Sequence, residues 1–258
     1  MKKLLDYLDK HERWDIATVV FIFWAVIMIL LIGYLCQSCT EETTLKLPDN
    51  VVYDADNNSY HIVVIGTQSW LKENLKTTEF NDGSPIPIVP SDPEIVSDLR
   101  WKELTGPGYC WYYNIVNKSG DNGALYNWYA ATNNKLCPTG WYVPSDEEWK
   151  TLESFLGMDS REVDKEGWRG EGIDLMLKTN YNWYYEGTDD FGFSIFPVGF
   201  RSSYGDFEDY TIQTAFWTTT NYDSTNAWHR SVADYAKGIY RGPTRKNSGF
   251  SIRCIKNN

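Results

Sequence analysis

The strongest pattern along the chain is a run of 20 residues without a charge, from Ile16 to Leu35. A helix of that length crosses a hydrocarbon core of roughly 30 Å, so the spacing predicts a membrane helix over 16–35. Lys2, Lys3, Lys10 and Arg13 precede the run, and Glu41, Glu42 and then Lys46 follow it. Positive charge stays inside, which puts residues 1–15 in the cytoplasm and the remainder outside.

Beyond a polar tether at 36–50 the periodicity changes. Val51-Val52-Tyr53 and the run from Tyr60 to Gly66 flank Asp54-Ala55-Asp56-Asn57-Asn58-Ser59, which predicts a hairpin. The D-x-D-x-N spacing also suits a calcium loop, but Gly at the sixth position and an acid at the twelfth are missing. Leu125, Trp128, Tyr129 and Thr132 fall at helical spacing, as do Trp149, Leu152, Phe155 and Leu156. Ser145 stands three residues before Glu148, a capping box for the second of these helices, and Gly157 ends it. Shorter helices are predicted over 94–104 and 173–177, and brief strands at 109–113 and 141–143. After Phe191 the pattern is strand throughout, at 193–200, 215–220, 227–232, 238–241 and 250–255, separated by Gly, Asp and Asn clusters. The expected fold class is α+β, one domain over 51–256 with two main helices first and an antiparallel strand meander second.

The outer end of the apolar run leaves two readings open. Cleaved secretory signals have a shorter apolar region, so length favours an uncleaved signal anchor. Against this, Leu35-Cys36-Gln37-Ser38-Cys39-Thr40-Glu41-Glu42 resembles a bacterial lipoprotein cleavage site with Cys39 as the lipidated residue, followed by acids like the surface-export tags of Bacteroidota lipoproteins. Cys36 departs from that pattern, since Leu is usual there. Cys36 and Cys39 also spell C-x-x-C, without the strand-to-helix setting that redox dithiols need. Either reading anchors the chain to a membrane and exposes it to the periplasm or the cell surface.

Charge and composition sharpen this picture. Residues 1–39 hold four basic and four acidic side chains, so the whole formal charge of -11 lies on the outer part. Nucleic-acid binding is excluded on that ground, because it wants a basic stripe. From Thr40 onward 35 aromatic residues stand against 37 Ile, Leu, Val and Met, which excludes disorder and argues against a helical bundle. Cys110, Cys137 and Cys254 all lie on the oxidising side, where disulfides persist, and an odd number leaves one over.

Four ordered motifs are similar to one family. Ile65-Gly66-Thr67-Gln68-Ser69-Trp70-Leu71-Lys72-Glu73-Asn74-Leu75, Gly123-Ala124-Leu125-Tyr126-Asn127-Trp128-Tyr129-Ala130, the stretch from Leu136-Cys137-Pro138 through Pro144-Ser145-Asp146-Glu147-Glu148-Trp149, and Gly249-Phe250-Ser251-Ile252-Arg253-Cys254 resemble the Fibrobacter succinogenes major paralogous domain. That family resembles the wider C-type lectin-like fold, so the resemblance implies terminal strands that pair as neighbours and a bridge between Cys137 and Cys254. It implies export and a lipid anchor, and little chemistry. Formylglycine-generating enzymes of the wider fold use a cysteine pair near the C terminus, where this chain has Cys254 alone. The Glu-Pro-Asn, Gln-Pro-Asp and Trp-Asn-Asp triplets of calcium-dependent lectins are missing.

No catalytic or metal-binding spacing stands out. His61 reads as a structural or exposed strand residue, and His229 as a ligand contact at most. The carboxylate pairs in the loops read as solvated faces. No cofactor and no catalytic residue is expected. Tyr, Trp and Arg dominate recognition hot spots, and the segment between Phe200 and Gly249 is rich in them. Tyr222, Trp228, Arg230, Tyr240 and Arg241 are the candidate ligand contacts. The expected function is therefore an anchored extracytoplasmic binding module for a glycan or protein ligand. The alternative is a structural or adhesive surface protein that self-associates, through unpaired Cys110 for example. Asp223-Ser224-Thr225 resembles a Bacteroidota O-glycosylation acceptor and equally suits a turn.

Overall fold

A computed structural model describes residues 2, 16–37, 50–89, 99–115 and 122–257 of the chain. Two units divide between Leu47 and Pro48. In the first, α1 (Ile16–Gln37) is a continuous helix of 22 residues. Side chains are described only over 20–31 of it, a stretch that rises about 18 Å. Among the described residues no helix is long and apolar enough to cross a membrane. Cys39 and most of the tether lie outside the described residues.

The second unit is mixed helix and sheet, as its periodicities predict. β1 (Val51–Tyr53), β2 (Ser59–Ile65), β3 (Gln68–Leu71) and β12 (Ile255–Asn257) form an antiparallel sheet in the order β1-β2-β3-β12. The two ends of the unit therefore meet in one sheet. The β1–β2 turn forms because the Asp54 carboxylate accepts hydrogen bonds from Asn58 N at 2.8 Å, Asn58 Nδ2 at 2.9 Å and the Tyr60 hydroxyl at 2.6 Å. Asp54 thus serves the hairpin, and among the described residues no three His, Cys, Asp or Glu groups gather as metal ligands.

The middle of the unit departs from the predicted elements. Of the 94–104 helix only α2 (Leu99–Lys102) is described, with 90–98 outside the described residues. β4 (Tyr109–Cys110) pairs with β5 (Leu125–Tyr126), followed by the one-turn helix α3 (Trp128–Ala131). Leu125 is therefore a strand residue, because the Asn127 side chain caps Ala130 N and starts the helix only there. Around Tyr142 there is a single bridge to Ile255 in place of a strand.

α4 (Asp146–Phe155) is the long helix of the unit, with the reciprocal Ser145–Glu148 capping box in place. Trp149, Leu152 and Leu156 are buried, but Phe155 is 53 % exposed, edge-on to Phe191. β6 (Gly167–Arg169) and α5 (Ile173–Leu177) follow. β7 (Val198–Arg201), β8 (Phe207–Tyr210), β9 (Gln213–Asn221), β10 (Asn226–Ala233) and β11 (Ile239–Arg245) complete a six-stranded sheet ordered β6-β11-β10-β9-β7-β8. β9, β10 and β11 are an antiparallel meander as expected, whereas β7 meets β9 in parallel. At the β9–β10 tip, Asp223 Oδ1 accepts from Thr225 N at 2.7 Å and Asn226 N at 2.8 Å, so 223–225 is a turn.

Long-range ties close the unit. Cys137 and Cys254 form a disulfide, with Cα atoms 6.0 Å apart and 117 positions between them in sequence. Arg253, fully buried, donates to Asn74 Oδ1 at 2.7 Å and to the carbonyls of Phe193 at 2.6 Å and Ser194 at 3.0 Å, with its guanidinium over the Phe193 ring. The arginine of the last motif is thus a clamp on backbone carbonyls. Trp70 and Trp149 pack at 5.2 Å in one core, while Trp141, Trp217 and Phe250 belong to a second. Cys110 carries a free thiol with no exposure, pushed up to about 11 by burial. A buried, protonated thiol does not offer the intermolecular bridge suggested for it.

Candidate ligand cleft

The five candidate contacts do not form one exposed patch. Arg230 has no exposure and Arg241 only 6 %. Arg230 Nε donates to Glu153 Oε1 at 2.6 Å and its Nη1 to Asp146 Oδ1 at 2.7 Å, while Arg241 Nη2 donates to Asp146 Oδ2 at 2.7 Å. Arg169 Nη2 reaches the other Glu153 oxygen at 2.5 Å. Burial works to raise the Asp146 pKa, but hydrogen bonds from Arg241 and the charge of Arg230 prevail and hold it well below the usual carboxylate range. These arginines fasten α4 to β6, β10 and β11 and are withdrawn from recognition. Trp228 is half-buried over the Arg241 guanidinium at 3.7 Å, with exposed Tyr222 edge-on to it at 5.0 Å. Tyr240 is half-buried between Trp168 and His229.

His229 is likewise a core residue. It is buried, its Nδ1–H donates to the Gly242 carbonyl at 2.7 Å, and its ring lies against Tyr240 and Phe250. Burial lowers its pKa from 6.5 to about 4. Between those values the unfolded chain binds a proton that the folded chain refuses, so stability falls as pH drops from 6.5 towards 4. Chemical denaturation across that window is expected to show this slope, and His229→Phe to flatten it. His61 is exposed and pairs with Glu73 at 2.7 Å.

A cleft of about 460 Å³ lies elsewhere, where α5 and the segment after it meet the β10–β11 turn. Gly172, at φ +88°, turns the chain into α5, which buries Ile173 and Leu177 and leaves Leu175 facing the cleft. Asp174 is 3 % exposed and accepts from Gly238 N at 2.7 Å. Gly238 sits at φ +81°, and a Cβ there would come within 2.2 Å of the Arg169 carbonyl, so only glycine brings the turn this close. Lys178 is buried at the floor and engaged on several sides. Its Nζ donates to the Ala233 carbonyl at 3.1 Å, stands 3.3 Å from Asp174 and 3.7 Å from Asp234, and lies 4.6 Å from the centre of the Trp183 ring. Asp234 in turn accepts from the backbone amides of Tyr184 at 2.8 Å and Tyr185 at 3.2 Å.

One ammonium therefore gathers three chain segments around the cleft. The lining also holds two exposed rings, Tyr185 at 62 % and Tyr235 at 64 %, and the paired charges of Glu171 and Lys237. Tyr235 is braced edge-on by Trp168 at 5.9 Å. Volumes of roughly 300–1,000 Å³ are usual for small-molecule sites, with aromatic walls and a few placed polar groups. Of the two rings of this site, Tyr185 and Tyr235, only Tyr235 stood in the aromatic-rich segment read from the sequence. The local signal for the rest is Tyr181-Asn182-Trp183-Tyr184-Tyr185, a dense aromatic run without the alternation of a strand.

The first and last strands lie at opposite edges of one sheet and so are not the paired neighbours that the resemblance implied; with a disulfide onto the last strand region and an aromatic-rimmed cleft they define an α+β domain. The chain belongs to the Fibrobacter succinogenes major domain family, whose model matches residues 63–256. No curated protein and no solved structure matches it.

Proposed function

We propose that this protein is a membrane-anchored, extracytoplasmic binding module that recognises a glycan or protein ligand without catalysis. The observation that carries this reading is the cleft, in which buried Lys178 and Asp174 and half-buried Asp234 hold a fixed floor beneath the exposed rings of Tyr185 and Tyr235. Rigid polar floors and exposed tyrosines are the parts of recognition sites, since rings bury area at low entropic cost. Lys178 is committed to its neighbours, which suits a structural role better than that of a base or nucleophile.

The fold reads as C-type lectin-like, supported by the β3–β12 pairing, the Cys137–Cys254 bridge and the capped helix α4. The anchor is supported by the uncharged run 16–35 between a basic flank and an acidic one. Mass spectrometry of the mature chain separates its two forms. An intact Met1 eliminates lipidation at Cys39, and a diacylated Cys39 at the N terminus eliminates the signal anchor.

Screening the full-length chain against glycan and surface-protein arrays, with and without calcium, tests the binding function. A ligand lost on Tyr185→Ala at unchanged melting temperature supports it. No ligand in either array, together with concentration-dependent oligomers on a sizing column, would favour the adhesive alternative.

A further inference from the structure

We propose that the cleft takes an uncharged pyranose from the end or edge of a glycan, an inference that rests on the binding reading above and names its ligand. The first argument is electrostatic. The lining brings three carboxylates, Glu171, Asp174 and Asp234, against two ammoniums, Lys178 and Lys237. Lys178 is spoken for, being 1 % exposed and paired with Asp174 and Asp234, while Lys237 pairs with Glu171 at the solvated rim. An anionic group such as a phosphate, sulfate or uronate meets an excess of negative charge, with only the rim ammonium of Lys237 outside the floor to set against it.

The second argument is the hydrogen-bonding inventory. Asp174 Oδ1 takes Gly238 N, and Asp234 takes Tyr184 N on Oδ2 and Tyr185 N on Oδ1. Asp174 is 3 % exposed and engaged by Gly238 N and Lys178, so half-buried Asp234, held in place with lone pairs to spare, is the carboxylate that accepts from a ligand hydroxyl. Hydroxyls are neutral donors that suit such acceptors without burying a new charge. The third argument is shape. Tyr185 and Tyr235 offer broad apolar faces, and a pyranose presents C–H groups on its ring face and hydroxyls around its edge. A ligand needs both properties at once to use rings and carboxylates together, and a sugar ring has them. A tyrosine or tryptophan side chain also combines the two but carries a single donor, whereas a pyranose carries several hydroxyls around its edge, which is why the sugar is preferred.

Saturation-transfer NMR and calorimetry on the full-length chain test this. The probes are neutral oligosaccharides ending in glucose, galactose, mannose or N-acetylglucosamine, and the same scaffolds capped with sialic acid or sulfate. At least one neutral probe is expected to bind, equally well with a chelator present. Its affinity should drop about tenfold or more on Tyr185→Ala, as for a central aromatic contact. Tyr235→Ala should weaken it too, and an acidic cap on the contacted residue should abolish binding. Tyr185 is exposed and holds Asp234 through its backbone amide, so the alanine variant should keep its melting temperature. Tighter binding of capped probes, or neutral-probe affinity unmoved by both tyrosine variants, overturns the proposal. A protein ligand lost on Tyr185→Ala, with no sugar bound, overturns the sugar but leaves the cleft as the binding site. No ligand of any kind sensitive to Tyr185→Ala overturns both.

Discussion

Glu153→Ala is expected to cost about 3–5 kcal/mol, the scale for breaking a buried ion pair from one side. For a unit of this size that corresponds to a fall of about 6–20 °C in melting temperature, on roughly 2–4 °C per kcal/mol. The reason is positional. Glu153 has no exposure and gives one oxygen to Arg169 at 2.5 Å and the other to Arg230 at 2.6 Å. Its removal leaves Arg169 without an anion, holding the Val163 and Ile239 carbonyls, and leaves Arg230 with Asp146 alone. Two guanidiniums then remain inside the unit with less negative charge between them. Glu153→Gln, which keeps the shape and one acceptor, should lose less. Joint replacement of Glu153, Arg169 and Arg230 by apolar residues should recover much of the loss, because no stranded charge remains. The Lys135–Asp82 pair is the control: both side chains are largely solvated, and Lys135→Ala should leave the melting temperature unchanged. Thermal unfolding followed by circular dichroism reads all four variants. A Glu153→Ala protein that melts with the parent would show that the ion pairs do not hold α4 to the sheet.

The second large effect is that of the bridge. Cys137→Ala with Cys254→Ala releases a loop of 117 residues, and the chain-entropy relation puts the loss at about 4–5 kcal/mol. Alanine is the right replacement because both cysteines are buried and a serine hydroxyl there would lack a partner. The effect acts mainly on the unfolded ensemble, which expands once the cross-link is gone. The denaturant midpoint should therefore fall while the dependence of stability on denaturant steepens, since more surface is exposed on unfolding. Cys110→Ala leaves the chain's connectivity alone and should leave that steepness unchanged. An unchanged midpoint in the double variant would mean that the β3–β12 pairing and the Arg253 clamp hold the ends without the disulfide.

What was legible in the sequence is what short spacing encodes. Ser145 and Glu148 cap α4 across three residues, and Asp54 and Asn58 close the hairpin across four. Each pair meets through local backbone geometry, so its residues specify the contact wherever the rest of the chain goes. The motif tryptophans Trp70, Trp141 and Trp149 belong to the cores for a similarly general reason, the area that large rings bury. The pairing of Cys137 with Cys254 came only through the family resemblance, since three outer cysteines permit more than one partner.

Tertiary structure alone decided the fate of the charged residues. Arg230 and Arg241 looked like recognition residues because arginine is normally exposed and common at hot spots. They are buried because Asp146 and Glu153 arrive from 77 to 95 positions away. A trace of this was visible, since Asp146 and Glu153 stand seven apart, near the stripe of α4 that carries Trp149 and Leu156. The partners were not visible, because no local rule says which strands pass beneath that stripe. Lys178, Tyr185 and Tyr235 make one cleft for the same reason: it is assembled from separate segments by a single buried ammonium. The sequence by itself determined the turns, the caps, the apolar run and the class of fold, all set by neighbours within a few residues. Which charges are buried, which rings stay at the surface and where a ligand fits were decided by contacts between distant segments, whose energies appear only once the sheet has formed.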